Sequence, residues 1–338
     1  MMKQLLPQVP RFFKACLHTH STVSDGKLTP QQVRDAYREK GYSILALTDH
    51  SVIVEHQNLN LEDFLMLTGV EIDLDDRDDP QGAVRGRQKH LCLLSKTPQK
   101  NWLPYRDPDP IPTSVPYEPL MDYAGMSREY SPENTNRIIA ECNAHGYLVT
   151  YNHPCWSLEH YPDYAPLEGL WAMEYRNFGS VVQGYDENNG RVYDDFLVQG
   201  KRLMPVFADD MHYPVWPNGL PSLGKAWVMV GAQELTYESV IHALEQGDMY
   251  SSCGPQLRQL AWDGQYIHVE CSPCIRIQVV TQTRAVAIAE APELTRASLE
   301  LSGWLKKSKD PHNAWLRVIV TAADGSYAVS RAYFMDEL

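Results

Sequence analysis

The chain has 338 residues, 43 acidic against 30 basic side chains and a formal charge of −13, with an ordinary hydrophobic content of 43%. An acidic surface argues against wide contact with a nucleic-acid backbone, and no run approaches the ~18 apolar residues of a membrane span. The seven cysteines are odd in number and show no framework, and the first twenty residues lack an apolar secretion core. The expectation is therefore a cytoplasmic protein with free thiols, no membrane contact and no nucleic-acid polymer as partner.

From residue 14 onward, short apolar runs alternate with helical stretches. The runs are KACLH, YSILALTDH, LMLTGVEI, HLCLLS, YLVTYNHP, LWAMEY and RLMPVFADD. Such runs, separated by helices, predict parallel strands of an α/β fold. Thr29, Pro30 and Gln32 form a helix-start signature with a capping box, and Gly41 stops that helix. Further helices are expected near 132–144, 187–199 and 237–246. Segment 101–131, rich in proline, aromatic residues and acids, reads as a long loop between two candidate ligands, where it could cover a site or be a surface excursion. Beyond Gly254-Pro255 the runs shorten and alternate, and Asp263-Gly264 and Asp324-Gly325 signal hairpins. Residues 1–253 are thus expected to form one domain, and 254–338 a small all-β, sandwich-like domain. Cys271 and Cys274, in CSPC, are half a zinc motif at most and read as ordinary strand and turn cysteines.

Nine metal-competent side chains cluster at the ends of these runs: His18, His20, Asp25, His50, Glu71, His90, His153, Asp210 and His212. His18 and His20, one residue apart, face the same side of an extended segment, as do Asp210 and His212. Gly26 permits a tight turn after Asp25. A single histidine at a strand end is usually a satisfied polar group. Nine such groups at several strand ends require metals or hydrogen bonds to offset their burial, and the carboxyl ends of barrel strands are where active sites form.

In order along residues 14–252, HTHSTVSDG, ALTDH, GVEI, the histidine of KHLCLL, YNHP and DDMH resemble the signature of the PHP (polymerase and histidinol phosphatase) family. The resemblance implies a distorted (β/α)7 barrel and a metal-dependent phosphoesterase. It implies three divalent ions, with zinc, manganese or iron as candidates. His18, His20, Glu71 and Asp210 would hold the first, Asp25, His50 and His212 the second, and Glu71, His90 and His153 the third. A hydroxide between the first two would be the nucleophile. GDMYSSCGP resembles the joint to a small β domain in a two-domain branch. Asp25 stands where some members carry histidine, and Ala208-Asp209 replaces the usual small residue and serine.

A phosphate substrate calls for cations. Arg176, just past a strand, is the first candidate, with Arg85 and Arg87 behind it. Tyr151 and Trp156 could wall the site or pack the barrel end. Asp49 could orient His50 or cap the next helix, and Asp209 could support Asp210 or face away. The leading reading is release of phosphate from a small phosphorylated metabolite or nucleotide. Hydrolysis of an amide or lactone by the same hydroxide is the alternative, and a non-catalytic binding module with structural metal is the third.

Overall fold

The computed structural model describes residues 2–76, 86–107, 121–301, 303 and 313–338. Arg85 and much of the long loop lie outside them. Each of the seven apolar runs forms a strand: β1 (Phe13–Cys16), β2 (Ile44–Leu47), β3 (Leu65–Asp75), β4 (Gln88–Ser95), β5 (Tyr147–Tyr151), β6 (Ala172–Asn177) and β7 (Met204–Ala208). They neighbour one another in sequence order in one sheet. Three helices keep the expected positions: α1 (Pro30–Glu39), α2 (Pro132–Ala144) and α4 (Tyr237–Gln246), and α3 (Gly190–Leu197) occupies the middle of the 187–199 stretch. Both halves of the capping box at Thr29 and Gln32 are made.

The sheet is not uniformly parallel. β1–β2, β2–β3, β5–β6 and β6–β7 are parallel, but β4 runs antiparallel to both β3 and β5. A run buried on both faces carries no record of its neighbours' direction, which is why the apolar pattern could not show this. The reversal has a consequence for the site. Because β4 points the other way, its beginning lies at the end of the molecule where β3 and β5 finish, and His90 near that beginning joins residues that follow the other strands.

The segment after β7 returns to the segment after β1. Thr19 and Met211 form a parallel bridge, Asp210 N donates to His18 O at 3.1 Å, and His20 N donates to Met211 O at 3.1 Å. The fold is thus mixed α/β, with a large central sheet and flanking helices.

The sheet continues from β1 through β8 (Trp227–Val230) and β9 (Met249–Ser252) into a C-terminal β-rich region. That region comprises β10 (Leu257–Trp262), β11 (Tyr266–Thr281), β12 (Val286–Glu300), β13 (Trp315–Thr321) and β14 (Tyr327–Ser330), all paired antiparallel. β9 pairs with β14, so these strands extend the central sheet. Alternation announces one buried face but not what lies against it. The long strand β11 shifts register between Glu270 and Cys274. CSPC is this irregularity, and Pro273 sits where the ladder is already broken. All seven cysteines are free. Among the described residues no helix is long and apolar enough to cross a membrane.

Candidate metal centre

Six histidines and three carboxylates converge where the strands end. The tightest group is His18, His20, Glu71 and Asp210. His18 Nε2 lies 3.3 Å from Glu71 Oε2, 3.3 Å from Asp210 Oδ1 and 3.2 Å from His20 Nε2. His20 Nε2 lies 3.3 Å from Glu71 Oε2 and 3.2 Å from Asp210 Oδ1. His18, His20 and Asp210 bring three donor atoms within 4.8 Å of one another, close enough to hold one ion, and Glu71 borders the two imidazoles. All four side chains are buried, with His18 and Glu71 only 1% exposed. Asp210 Oδ1 and His20 Nδ1 are buried without a hydrogen-bond partner. Orphaned polar atoms in a cavity of this chemistry are what a cation satisfies.

Two further groups share these residues. Asp25 Oδ1 is 3.3 Å from His212 Nε2, and Asp25 Oδ2 is 3.9 Å from His50 Nε2. With His20, these residues bring four donor atoms within 4.8 Å of one another. On the other side, Glu71 Oε1 is 3.1 Å from His90 Nδ1 and 3.3 Å from His153 Nε2, while His50 Nδ1 is 3.4 Å from Glu71 Oε2. The carboxylate of Glu71 therefore faces two groups with its two oxygens. The clusters overlap and can coordinate more than one metal ion.

The backbone is bent to make this possible. Asp210 has φ of 46° and His153 of 21°, both in the left-handed region that non-glycine residues rarely adopt. Gly179 lies under the bend, where a Cβ would meet the Asp210 carbonyl oxygen at 2.5 Å. Gly26 makes the expected turn: a Cβ there would meet the His20 carbonyl oxygen at 2.6 Å.

Charge within the metal-free cluster is arranged by proximity. Burial works against ionised Glu71 and Asp210, but the surrounding imidazoles hold both well below the usual carboxylate range. Burial also works against charged His20, yet Asp210 and Glu71 keep it up at about 10. His50 goes the other way: burial, then the neighbouring His20, depress it to about 3.

Asp49 neither orients His50 nor caps a helix. Its Oδ1 accepts from the Ser21 and Ser24 amides at 2.8 and 3.1 Å and its two oxygens from their hydroxyls at 2.8 and 2.9 Å, tying down the loop that carries His20 and Asp25. Asp209 faces away from the cluster and accepts from the backbone amides of Gly224, Lys225 and Ala226 at 2.6–2.8 Å. Arg176 stands apart from the nine: its guanidinium lies over the rings of Tyr327 and Phe178, 5.5 and 5.8 Å from their centroids. Arg87 is paired with Asp76 at 2.8 Å and Asp163 at 2.7 Å. Tyr151 is fully buried in the core and donates to Glu159 at 2.6 Å.

The cluster opens into a cleft of about 500 Å³, among whose lining residues the cations are Lys27 and Arg128. Arg128 belongs to the long irregular segment, and so does Asp107, another lining residue. The guanidinium is held by Asp73 at 2.6 Å and Asp107 at 2.7 Å, so the described parts of the segment border the cleft. Trp156 forms part of the wall, with its ring edge-on to His90 at 5.2 Å and His153 at 4.9 Å, and Tyr213 and Trp216 stand beside His212.

Several residues that support the cluster are not evident from the sequence alone. Glu174 Oε1 binds His18 Nδ1 at 2.6 Å, while Oε2 accepts from the His153 amide at 2.9 Å and Asn177 Nδ2 at 2.8 Å. Asn177 Nδ2 also reaches Asp210 Oδ2 at 3.1 Å. Glu187 is fully buried and accepts from the amides of Cys155 and Trp156 at 3.0 and 2.8 Å, fixing the turn after His153. A lone glutamate inside LWAMEY was the available signal for Glu174. Nothing in the irregular segment singled out Arg128.

No family model matches the chain, and no curated protein does. Among solved structures it is similar to a two-domain protein from Bacteroides vulgatus containing a predicted PHP-like metal-dependent phosphoesterase, at 14% identity and TM-score 0.43 over 98% of this chain and 97% of that one. A candidate metal-dependent phosphoesterase from Bifidobacterium adolescentis matches at 14% identity and TM-score 0.38, over 64% of this chain and 92% of that one. An amidohydrolase from Chromobacterium violaceum, solved with bound sulfate and no metal, matches at 16% identity and TM-score 0.35, over 61% and 89%. At this distance the function has to be read from the site.

Proposed function

We propose that this chain is a metal-dependent hydrolase of the PHP kind that releases phosphate from a small phosphorylated compound. The observation that carries the reading is the convergence of His18, His20, Glu71 and Asp210, with imidazole–carboxylate separations of 3.2–3.3 Å, at the floor of a cleft whose lining cations are Lys27 and Arg128. The first ion falls to these four ligands. A second falls to Asp25, His50 and His212, and a third to Glu71, His90 and His153. The barrel reading of seven consecutive strands belongs to the same proposal, as does the division of the chain at residue 253.

Bound divalent ions supply Lewis acidity and make hydroxide available from water near neutral pH. Zinc, manganese and iron(II) all suit imidazole and carboxylate donors. The protein's own side chains do the rest. Lys27 and Arg128 bind non-bridging phosphate oxygens, and Arg128 is already held in place by Asp73 and Asp107, so little side-chain freedom is lost when substrate arrives. Arg176 keeps a supporting part, through its stacking on Tyr327 and Phe178 beside β6. Trp156 and Trp216 limit the width of the cleft and exclude water from its walls. No serine or cysteine is needed as a covalent nucleophile.

The test is phosphate release from nucleotides, nucleoside bisphosphates, sugar phosphates and histidinol phosphate, with the protein loaded separately with manganese, zinc or iron(II). Selective release that vanishes when His18→Ala and Asp210→Ala are combined is the expected result. Stoichiometric metal binding without release from any compound would overturn the proposal and turn attention to amides and lactones. Arg128→Gln should raise KM by roughly one order of magnitude while metal content stays unchanged, as loss of a charged contact to substrate predicts.

A further inference from the structure

The ligands read from the sequence offer nitrogen and oxygen only, and the structure adds sulfur. Cys92 lies two residues beyond His90 on β4, on the same face of the strand, and pairs across the ladder with Glu71. It is 3% exposed. Its Sγ, a donor atom of His18 and a donor atom of Glu71 lie within 4.8 Å of one another. The same amide group serves both neighbours: Asn152 Nδ2 donates to Glu71 Oε1 at 2.6 Å and to Cys92 Sγ at 3.1 Å. The sulfur is thus an acceptor, next to a carboxylate oxygen and an imidazole, where an apolar side chain would leave that amide hydrogen without its second acceptor.

We propose that Cys92 is a sulfur donor on the inner side of the metal cluster, and that it biases the site toward thiophilic divalent ions, zinc and iron(II) above manganese and magnesium. Thiolate ligands favour such ions, whereas carboxylate and water favour the harder ones. As the metal–sulfur bond forms, the thiol proton passes to solvent. No electron is transferred, and Cys92 remains at the thiol oxidation level. The inference rests on the metal site of the proposed function and is independent of the substrate.

The experiment uses the full chain, stripped with a chelator and reloaded with cobalt(II). A thiolate ligand gives cobalt an intense sulfur-to-metal charge-transfer absorption in the near ultraviolet, which nitrogen and oxygen ligands do not. The band is expected in the wild-type protein, in Cys142→Ala as a control for a buried cysteine away from the cluster, and not in Cys92→Ser or Cys92→Ala. Competition between zinc and manganese should shift by about tenfold or more toward manganese in Cys92→Ser. A cobalt spectrum of the wild-type protein without the band overturns the proposal even if the variants do not fold, and so does a band that survives in Cys92→Ser. Phosphate release measured on the same samples separates the two readings. Release without the band removes only the sulfur donor, and the band without release removes only the phosphoesterase.

Discussion

A metal-binding imidazole has two nitrogens, and the one that does not face the ion decides how firmly the other is aimed. For His18 that partner is Glu174, 2.6 Å from Nδ1 and 1% exposed. The same carboxylate also holds the His153 amide and Asn177, so the segments after β1 and β5 and the end of β6 are fixed by one buried group. Loss of such a partner typically weakens metal binding 10–100-fold. Glu174→Gln is therefore expected to lower zinc affinity by roughly that factor, read by chelator competition, with circular dichroism unchanged. An affinity within about twofold of wild type would reduce Glu174 to a packing residue. Removing the metal has its own signature. Burial opposes charge on His20 and His153, but Asp210 and Glu71 around the first, and Glu71 beside the second, outweigh it and hold them at about 10 and about 9. Both values lie above the ordinary ~6.5 of histidine, so the stability they lend is full below that pH and drains as pH rises through the folded values. The chelated protein should lose melting temperature from about pH 6.5 to pH 10, and the metal-loaded protein should not, because its imidazoles are neutral throughout. Parallel melting profiles with and without chelator would contradict this. The nine candidate ligands were legible because each stands in a short motif at a strand end. Glu174 and Cys92 were not, since what distinguishes them is the neighbour across the sheet, which a linear pattern does not record.

At the scale of elements, the site depends on short segments that have little regular structure and are held from outside. The loop from His20 to Asp25 is fastened by Asp49 through two backbone amides and two hydroxyls. Asp49→Ala would leave the Ser21 amide buried without its acceptor, at about 1–3 kcal/mol where water cannot replace the lost partner, while Ser24 N keeps only its bond to the Ser21 carbonyl. The expected outcome is a protein that still folds but loses the ion held by Asp25, visible as a fall of about one metal per chain by elemental analysis. Full stoichiometry in that variant would mean that Asp25 is positioned without the clamp. Helix α1 shows how much local chemistry can specify, since Thr29, Pro30 and Gln32 mark its start as found. Strand direction is a different matter. β4 reads as one more buried run, and only its pairing reveals the reversal that brings His90 to the site.

At the scale of the whole molecule, the sheet runs through the composition change near residue 254. β9 pairs with β14, and the C-terminal strands carry their own core around Leu260, Val269, Leu316 and Val318. Beyond the backbone ladder the two parts share an apolar cluster, in which Trp315, Val329 and Phe334 join Tyr175, Tyr193 and Phe207, and polar contacts of which one is deeply buried. Arg317 on β13 is 4% exposed and donates to both oxygens of Asp194 on α3, at 2.9 and 3.1 Å, and to Tyr175 Oη on β6 at 3.1 Å. Tyr193 Oη accepts from the Ala332 amide at 3.1 Å nearby. Burial opposes the charge of Arg317, and Tyr175 and Asp194 restore it. Removing one member of a buried pair strands the other, at a cost of about 3–5 kcal/mol. Asp194 is 27% exposed, so water can take up part of that loss and the lower end of the range applies. Arg317→Ala should therefore lower the urea midpoint by an amount equivalent to about 3 kcal/mol. Arg276→Ala, which breaks the exposed pair with Glu290, should stay within about 1 kcal/mol. Equal effects from the two variants would mean that the buried pair adds nothing to what the sheet and the shared apolar cluster already hold. A second, separate unfolding step in Arg317→Ala would place the seam of the molecule at this contact.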